Sequence, residues 1–596
     1  MSNLALTARG TDSVPINASF IGVATAAPIG VGVTGHRLER LAAVDLPELA
    51  TRLADVMRAI ETAAPGRRFR LVGSLAEGAD MIAADAALAR GWQLDTVLPF
   101  AREDYANDFD GTGAVDLGQG LDRSANVLEL PGRRDDPGGE AAAYERAGRV
   151  VLTQCDLLLA IWDGDPPRGR GGAAQIVAEA VAHAIPVLVV HPDTAKAPVL
   201  LWSGLNSHDS GPEAVDTVAR GGLVDLPRLM ARLALALPTA DKPRERRVAP
   251  DAPPMFTVAY PLLLALTGVR RLRVADLRKP CPAPRLSPAG PSSALDARID
   301  GQLWPQFDRA DCEASLAAQQ FRSAFVSSFA LAAIAVTLAL LGLLVPVAVK
   351  PLLAAGEFTS IAIILIVTQW GARAGWHQRW LDQRTLAEEL RCLAVSASLG
   401  DLFLRGAHAH DSEVAGQERR DIARRIGLPS ARVDAAYMAS AHANLVALLD
   451  DQIGYVRREA ARMHMLEHRL HRLGGALFMI TALICAGVLG IEMVWTLTHA
   501  PGANHALPLG ITVISASLPA IGAAIYGIRM QGDFAGAARR NASLAVQLDE
   551  VRRVAQDEAP SFDQLRRLIR RTAELLTADL SQWVRATKAR PLSLPG

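Results

Sequence analysis

Three glycine-bearing turns carry the residue types that hold a phosphate. Gly73, Ser74, Glu77, Gly78 and Asp80 lie in the stretch Arg70 to Asp80, where an apolar run breaks into small residues and enters a helical pattern. Thr34, Gly35, His36 and Arg37 close an earlier apolar run, and Asp163, Gly164, Gly169, Gly171 and Gly172 follow a later one. A strand, a glycine turn and a helix N-terminus in succession aim backbone N–H groups and a helix dipole at one point, which suits an anion. Glycine lets the backbone come close to it. Arg37 has the planar fork to pair with a phosphate, or it faces solvent beside His36. Glu77 can accept from a ribose hydroxyl or cap backbone amides. Asp163 can meet a ligand or cap its own turn. Trp162 offers a stacking ring or a core side chain. The five cysteines (Cys155, Cys281, Cys312, Cys392, Cys485) have no metal or redox spacing, and no nucleophilic triad stands out. We expect no metal site, no certain cofactor and no assigned catalytic residue.

Such turns need rigid elements beneath them. From residue 28 to about 205, strand and helix signals alternate as in a parallel α/β sheet. Strands are expected at Ile29–Val33, Phe69–Val72, Leu94–Leu98, Val127–Leu130, Leu157–Trp162 and Pro186–Val190. Helices follow Asp45, which is placed to cap one with Pro47 in its first turn, and cover Met81–Arg90, Glu140–Gln154 and Ala173–His183. In an open parallel sheet, ligands sit beyond the carboxyl ends of the strands, so all three turns project to one edge.

At 596 residues, several domains are required. Lys+Arg and Asp+Glu both number 62, which leaves no bulk nucleic-acid signature. Half the residues are hydrophobic but only 5% aromatic, a balance that suits helix-rich, membrane-embedded protein. Residues 1–27 form an arm without a basic stretch leading into an apolar core, so no signal peptide is expected. Residues 28–236 form the α/β domain and 237–303 a proline-rich linker. Within the linker, Met255–Leu266 is apolar but too short to span, and reads as a strand or helix buried against the α/β domain or as an interfacial segment.

Four apolar stretches follow. Ala324–Val349 carries no charge, and as a helix would run roughly 39 Å. Leu352–Trp370, Leu473–Leu497 and Leu507–Ile528 complete two hairpins, with Glu492 near an interface and Pro519 inside the last. The expected fold is an α/β Rossmann-like parallel sheet domain followed by an all-α membrane region with four transmembrane helices. Residues 304–400 hold the first hairpin and a helix, 401–472 a cytoplasmic helical segment, and 473–596 the second hairpin and C-terminal helices. Arginines crowd the segment between the second and third spans and the segment after the fourth, so the N-terminus, central segment and C-terminus are expected on the cytoplasmic side.

Val33-Thr34-Gly35-His36-Arg37, Gly73 to Asp80 and Gly169-Arg170-Gly171-Gly172 together resemble the SLOG superfamily of Rossmann-like nucleotide-binding domains. That superfamily includes cytokinin-activating phosphoribohydrolases and the DNA-processing protein A family. Where the phosphoribohydrolases continue with Gly-Thr and catalytic glutamates, this chain has Ala173-Ala174-Gln175-Ile176. Each apolar hairpin is followed by a charged helix, one bearing Trp380, Arg384 and Glu388 on a single face. That organisation is similar to the SLATT architecture of two-span effectors in bacterial conflict systems. The resemblance implies a membrane-bound nucleotide sensor-effector of anti-phage defence in the bacterial inner membrane. It would act as a homo-oligomer, with a nucleotide-like ligand and the lipid bilayer as partners and no nucleic acid. The alternative is a membrane-anchored hydrolase of phosphoribohydrolase type, with Glu179 or Glu77 as base. A transporter fits less well, because the spans carry almost no charge to hold a substrate.

Overall fold

The structure, a computed structural model, describes residues 27–135, 138–166, 169–206, 213–233, 255–273, 293–402, 413–498, 509–557 and 560–588. The first part of the chain is a mostly parallel α/β sheet. Strands β1 (Ile29–Gly35), β2 (Phe69–Gly73), β3 (Gln93–Leu98), β4 (Asn126–Glu129), β5 (Leu157–Ile161) and β6 (Val187–Val190) lie parallel in the order β6-β5-β1-β2-β3-β4. The six expected strands are all present, with ends shifted by one or two residues. Their apolar runs are continuous because both faces are covered, and every residue of β2 and β5 is buried.

Three short strands were not legible in the sequence. β7 (Val199–Leu201) and β8 (Arg220–Gly221) add antiparallel partners beyond β6, and β9 (Ala431–Arg432) pairs parallel with β4. Two- and three-residue strands carry no usable period, and β9 joins the sheet from between the second and third spans. Among the described residues, the sheet therefore has nine strands.

Helices α1 (Leu46–Ala63), α2 (Ala79–Ala89), α3 (Arg102–Tyr105), α4 (Thr112–Arg123), α5 (Gly139–Gln154), α6 (Ala173–Ala182) and α7 (Leu226–Leu233) belong to this domain. The Asp45 carboxylate accepts from the Glu48 amide at 3.1 Å and caps α1 as expected. Strand alternation divides the core. Leu71 and Leu159 face one side with Leu49, Leu53 and Ala83 of α1 and α2, while Val72, Val97 and Leu128 face the other.

Among the described residues, the second part is helical apart from β9. It comprises α8 (Met255–Leu266), α9 (Ala294–Arg298), α10 (Trp304–Leu341), α11 (Lys350–Ala374), α12 (Trp376–Ser396), α13 (Glu413–Ile426), α14 (Ala435–Thr498), α15 (Leu509–Gly532), α16 (Phe534–Asp557) and α17 (Phe562–Lys588). A π-helical turn, Ile299–Leu303, joins α9 to α10. Among the described residues, four helical runs, Ala294–Leu341, Lys350–Ala374, Ala435–Thr498 and Leu509–Asp557, are long and apolar enough to cross a membrane. Their apolar stretches are largely bare: Phe358, Met479, Leu483, Leu489 and Met493 are all exposed, as side chains meeting lipid would be.

Boundaries differ from expectation in three places. The first span ends at Leu341, and residues 342–349 form the turn around Pro346. The third span is the last part of α14, whose 64 residues run unbroken for roughly 95 Å from the sheet into the span. The expected fourth span begins at Leu507, outside the described residues, and α15 starts at Leu509 with Pro519 in its interior. Met255–Leu266 is a helix. It buries Tyr260 and Leu264 against Ala317, Phe321 and Ala324 of α10 rather than against the α/β domain.

The paired hairpins share their joints. α11 ends at Gly375 (φ 61°), and Trp376, 1% exposed, opens α12. α15 ends before Asp533 (φ 45°), and Phe534, 2% exposed, opens α16. Each joint is one left-handed residue followed by a buried aromatic, and both aromatics enter the same core cluster. Asp533 tolerates this backbone as a short polar residue, and its carboxylate accepts from Arg540 at 3.1 Å.

Candidate functional site

The strand order reverses between β1 and β5. The chain winds outward through β2, β3 and β4 on one side, then returns for β5 and β6 on the other. The crevice beyond the carboxyl ends of such a pair is where open α/β sheets hold ligands. Thr34, Gly35, His36 and Arg37 leave β1 at this point, and Asp163 and Gly164 leave β5.

The first two turns are locked together by backbone. Arg37 forms a bridge with Gly78, the Leu38 amide donates to Glu77 O at 3.2 Å, and the Ala79 amide donates to His36 O at 3.1 Å. The glycines make this approach possible. Gly78 has φ 107°, and a Cβ there would stand 2.7 Å from the Leu38 nitrogen. A Cβ on Gly35 would stand 2.4 Å from that of Ala79.

First and third turns are joined by side chains. His36 Nε2 lies 3.1 Å from Asp163 Oδ2 and accepts from the Asp163 amide at 3.3 Å. Asp163 also pairs with Arg40 at 2.5 Å and accepts from the Asp165 amide at 3.0 Å. Burial holds the His36 imidazole below its ordinary range, against the pull of Asp163. Asp163 thus has its oxygens committed to the turn. Trp162 is a core side chain, its Nε1 donating to Asp165 O at 3.0 Å.

The turn from Gly73 to Asp80 is filled by its own chain. Asp80 is 7% exposed and its Oδ2 accepts from the Ser74 amide at 3.3 Å. Burial raises the Asp80 carboxyl to about 7, opposed by hydrogen bonds from the Ser74 and Ala76 amides. The loop amides expected to greet a phosphate are spent on this carboxyl. A Cβ on Gly73 would meet Val33 at 2.4 Å, so Gly73 serves sheet packing.

Arg37 follows β1 at the same rim. It is exposed, its guanidinium lies 4.7 Å from the centre of the Tyr144 ring, and it makes no ion pair among the described residues. Beneath it, the Tyr144 hydroxyl donates to Asp108, which also pairs with Arg134 at 2.6 Å. Burial and the Asp108 carboxylate push the Tyr144 phenol up to about 12, so it stays a neutral donor. Tyr105 is buried beside this group. Helical period put Tyr144 on one side of its helix, but no sequence signal joined Arg134 and Asp108 to the rim.

Gly169, Gly171 and Gly172 reach the same neighbourhood through α5. Gly171 has φ 82°, and a Cβ there would stand 2.7 Å from the Glu145 nitrogen and 3.0 Å from Tyr144 Cβ. Gly172 has no such constraint, with its nearest neighbour at 3.7 Å. Gln175 accepts from the Gly171 amide at 2.8 Å and donates to Glu145 at 2.7 Å and Glu179 at 3.0 Å. Glu179 is also held by Arg149 through two bonds of 2.9 Å. Despite burial, Arg149 and Gln175 keep its carboxyl below the usual range, which suits an ion pair and not a general base.

No family model matches the chain, and no curated protein matches it. The arrangement offers an exposed guanidinium over an aromatic ring at a strand-order reversal, flanked by turns held within close backbone contact. Among the described residues no group of three or more metal-ligating side chains occurs.

Proposed function

We propose that the chain is a membrane-bound nucleotide sensor-effector. The Arg37 rim receives a phosphate-bearing ligand, and the helices pass the event to the four spans. The observation that carries this reading is Arg37, exposed and without an ion pair among the described residues, at the reversal between β1 and β5. Likeness of the three turns to the SLOG superfamily, and of the paired hairpins to SLATT effectors, favours a role in bacterial anti-phage defence. The arginine distribution supports an inner-membrane protein with its α/β domain, central segment and C-terminus in the cytoplasm. A pore needs more than one copy of these hairpins, which favours a homo-oligomer.

Coupling has a physical route. Val72, Val97 and Leu128 of the sheet share one core with Leu445 and Leu449 of α14 and Leu548 of α16. Close-packed interiors transmit displacement rather than absorb it. Of the two bases the hydrolase alternative offers, Glu179 is tied to Arg149, which leaves Glu77.

The test uses the full chain in lipid nanodiscs, titrated with a panel of nucleoside phosphates while products are followed. Saturable binding without turnover, weakened by Arg37→Glu at unchanged melting temperature, is expected. Catalytic product formation would overturn the sensor reading. Absence of binding across the panel, or equal binding by Arg37→Glu, would overturn the site.

A further inference from the structure

At the opposite end of the sheet the chain builds a second, strongly basic cavity of about 300 Å³. It lies at the amino ends of β1, β2 and β3. Pro28, Arg68, Arg70 and Gln93 line it from the α/β domain, and Arg298, Arg424 and Arg425 from α9 and α13. Five arginines and no carboxylate are in that lining.

Carboxylates stand behind three of these cations. Arg424 pairs with Asp156 at 2.8 Å, Arg425 with Asp421 at 2.9 Å, and Arg70 with Asp95 at 3.4 Å. Arg298 donates to Leu428 O at 2.7 Å. The end of α13 contributes a negative dipole, equivalent to about half a charge. Arg70 is 2% exposed, yet among the described residues its Nε has no hydrogen-bond partner, and neither has Arg298 Nε. Burial and the neighbouring Arg70 charge pull the Arg298 guanidinium below its ordinary range. Gly427 (φ 65°) lets the backbone pass here, since a Cβ would meet Arg70 Nη1 at 2.4 Å.

We propose that this cavity binds a small soluble polyanion of phosphate chemistry, and that its occupancy clamps the helical region onto the α/β domain. Guanidinium forks from both parts converge on one space, which is how arginine recognises phosphate oxygens. The volume lies at the lower end of small-molecule sites, which favours a compact anion over a dinucleotide. A lipid headgroup is out of reach. From Arg298 to Ala324, where the uncharged stretch of α10 begins, the continuous helix climbs roughly 40 Å. This site is separate from the Arg37 rim and does not depend on it.

The test uses the full chain in uncharged-lipid nanodiscs with sodium pyrophosphate as probe, followed by thermal unfolding and calorimetric titration. Pyrophosphate is expected to raise the melting temperature of the parent and of Arg37→Glu alike. Arg68→Glu and Arg298→Gln should each weaken its binding by at least about tenfold. Three results would overturn the proposal: no shift in the parent, an equal shift with sodium chloride at matched ionic strength, or full binding by both cavity variants. A shift that required phosphorylated lipid in the nanodisc would also overturn it, by assigning the cavity to a headgroup.

Discussion

At the scale of single residues, Asp80 governs the central turn. Its carboxyl closes the Gly73 to Asp80 loop by accepting the Ser74 amide, in a place with almost no solvent. The folded chain keeps the Asp80 proton up to about pH 7, whereas an unfolded chain releases it near 3.8. Between those values the folded state binds more protons, so stability falls as pH rises. His36 acts in the opposite sense, because its lowered pKa makes stability rise as pH climbs through about 6.5. Asp80→Asn keeps an acceptor for the Ser74 amide but cannot titrate. Its melting temperature relative to the parent is therefore expected to rise steadily from about pH 4 to about pH 7. A difference that stays flat in that interval would show that Asp80 is already ionised in the folded chain. The subtraction cancels His36, which both proteins carry.

At the scale of elements, the decisive pair is Asp156 and Arg424. Asp156 precedes β5 and accepts from the Gly30 amide at 3.0 Å, so it braces β1 as well. Arg424 on α13 meets it through bonds of 2.9 and 2.8 Å, and both side chains are at most 5% exposed. A buried pair is weak evidence of net stability, but removing one member strands the other. Asp156→Ala is expected to cost about 3–5 kcal/mol, since it leaves a buried guanidinium and an unpaired Gly30 amide. Asp156→Asn, which can still accept from Gly30, should cost less. Chemical unfolding of the two variants in detergent measures the order, and equal losses would contradict it. The same reasoning explains the α12 network. Glu388 sits between Arg384 and Arg391 while Arg384 reaches Asp311 of α10 at 3.5 Å, so the face with Trp380 is turned inward against α10.

At the scale of the whole molecule, the α/β domain is closed only in part by its own helices, with Val150 and Val151 of α5 sharing the face. Val72, Val97, Leu128 and Leu130 are covered by Leu445, Leu449, Leu548 and Leu565, from helices encoded after the first two spans. Arg566 and Arg570 of α17 pair with Asp401, and Arg146 pairs with Asp563, which fastens the same contact at its edge. A fragment ending at residue 235 would expose that apolar face. It is expected to aggregate on expression, while the full chain in detergent remains monodisperse by size-exclusion chromatography. A soluble, folded fragment would mean that the shared core is dispensable.

The sequence by itself determined the class of the protein: six parallel strands, the capped helix after Asp45 and four apolar runs. Local pattern suffices there, because a strand buried on both faces and a helix facing lipid must each be continuously apolar. It also placed Arg37 and the three glycine turns at strand ends. Only the tertiary structure decided what each turn does. Asp80 occupies the amides of its own loop, Glu179 is captured by Arg149, and Gly171 rather than Gly172 carries the positive φ. Those outcomes depend on which groups meet across long sequence separations. The same holds for β9 on the sheet edge and for the arginines gathered from α9, α13 and β2. Periodicity records which face a residue takes and carries no information about the neighbour it finds there.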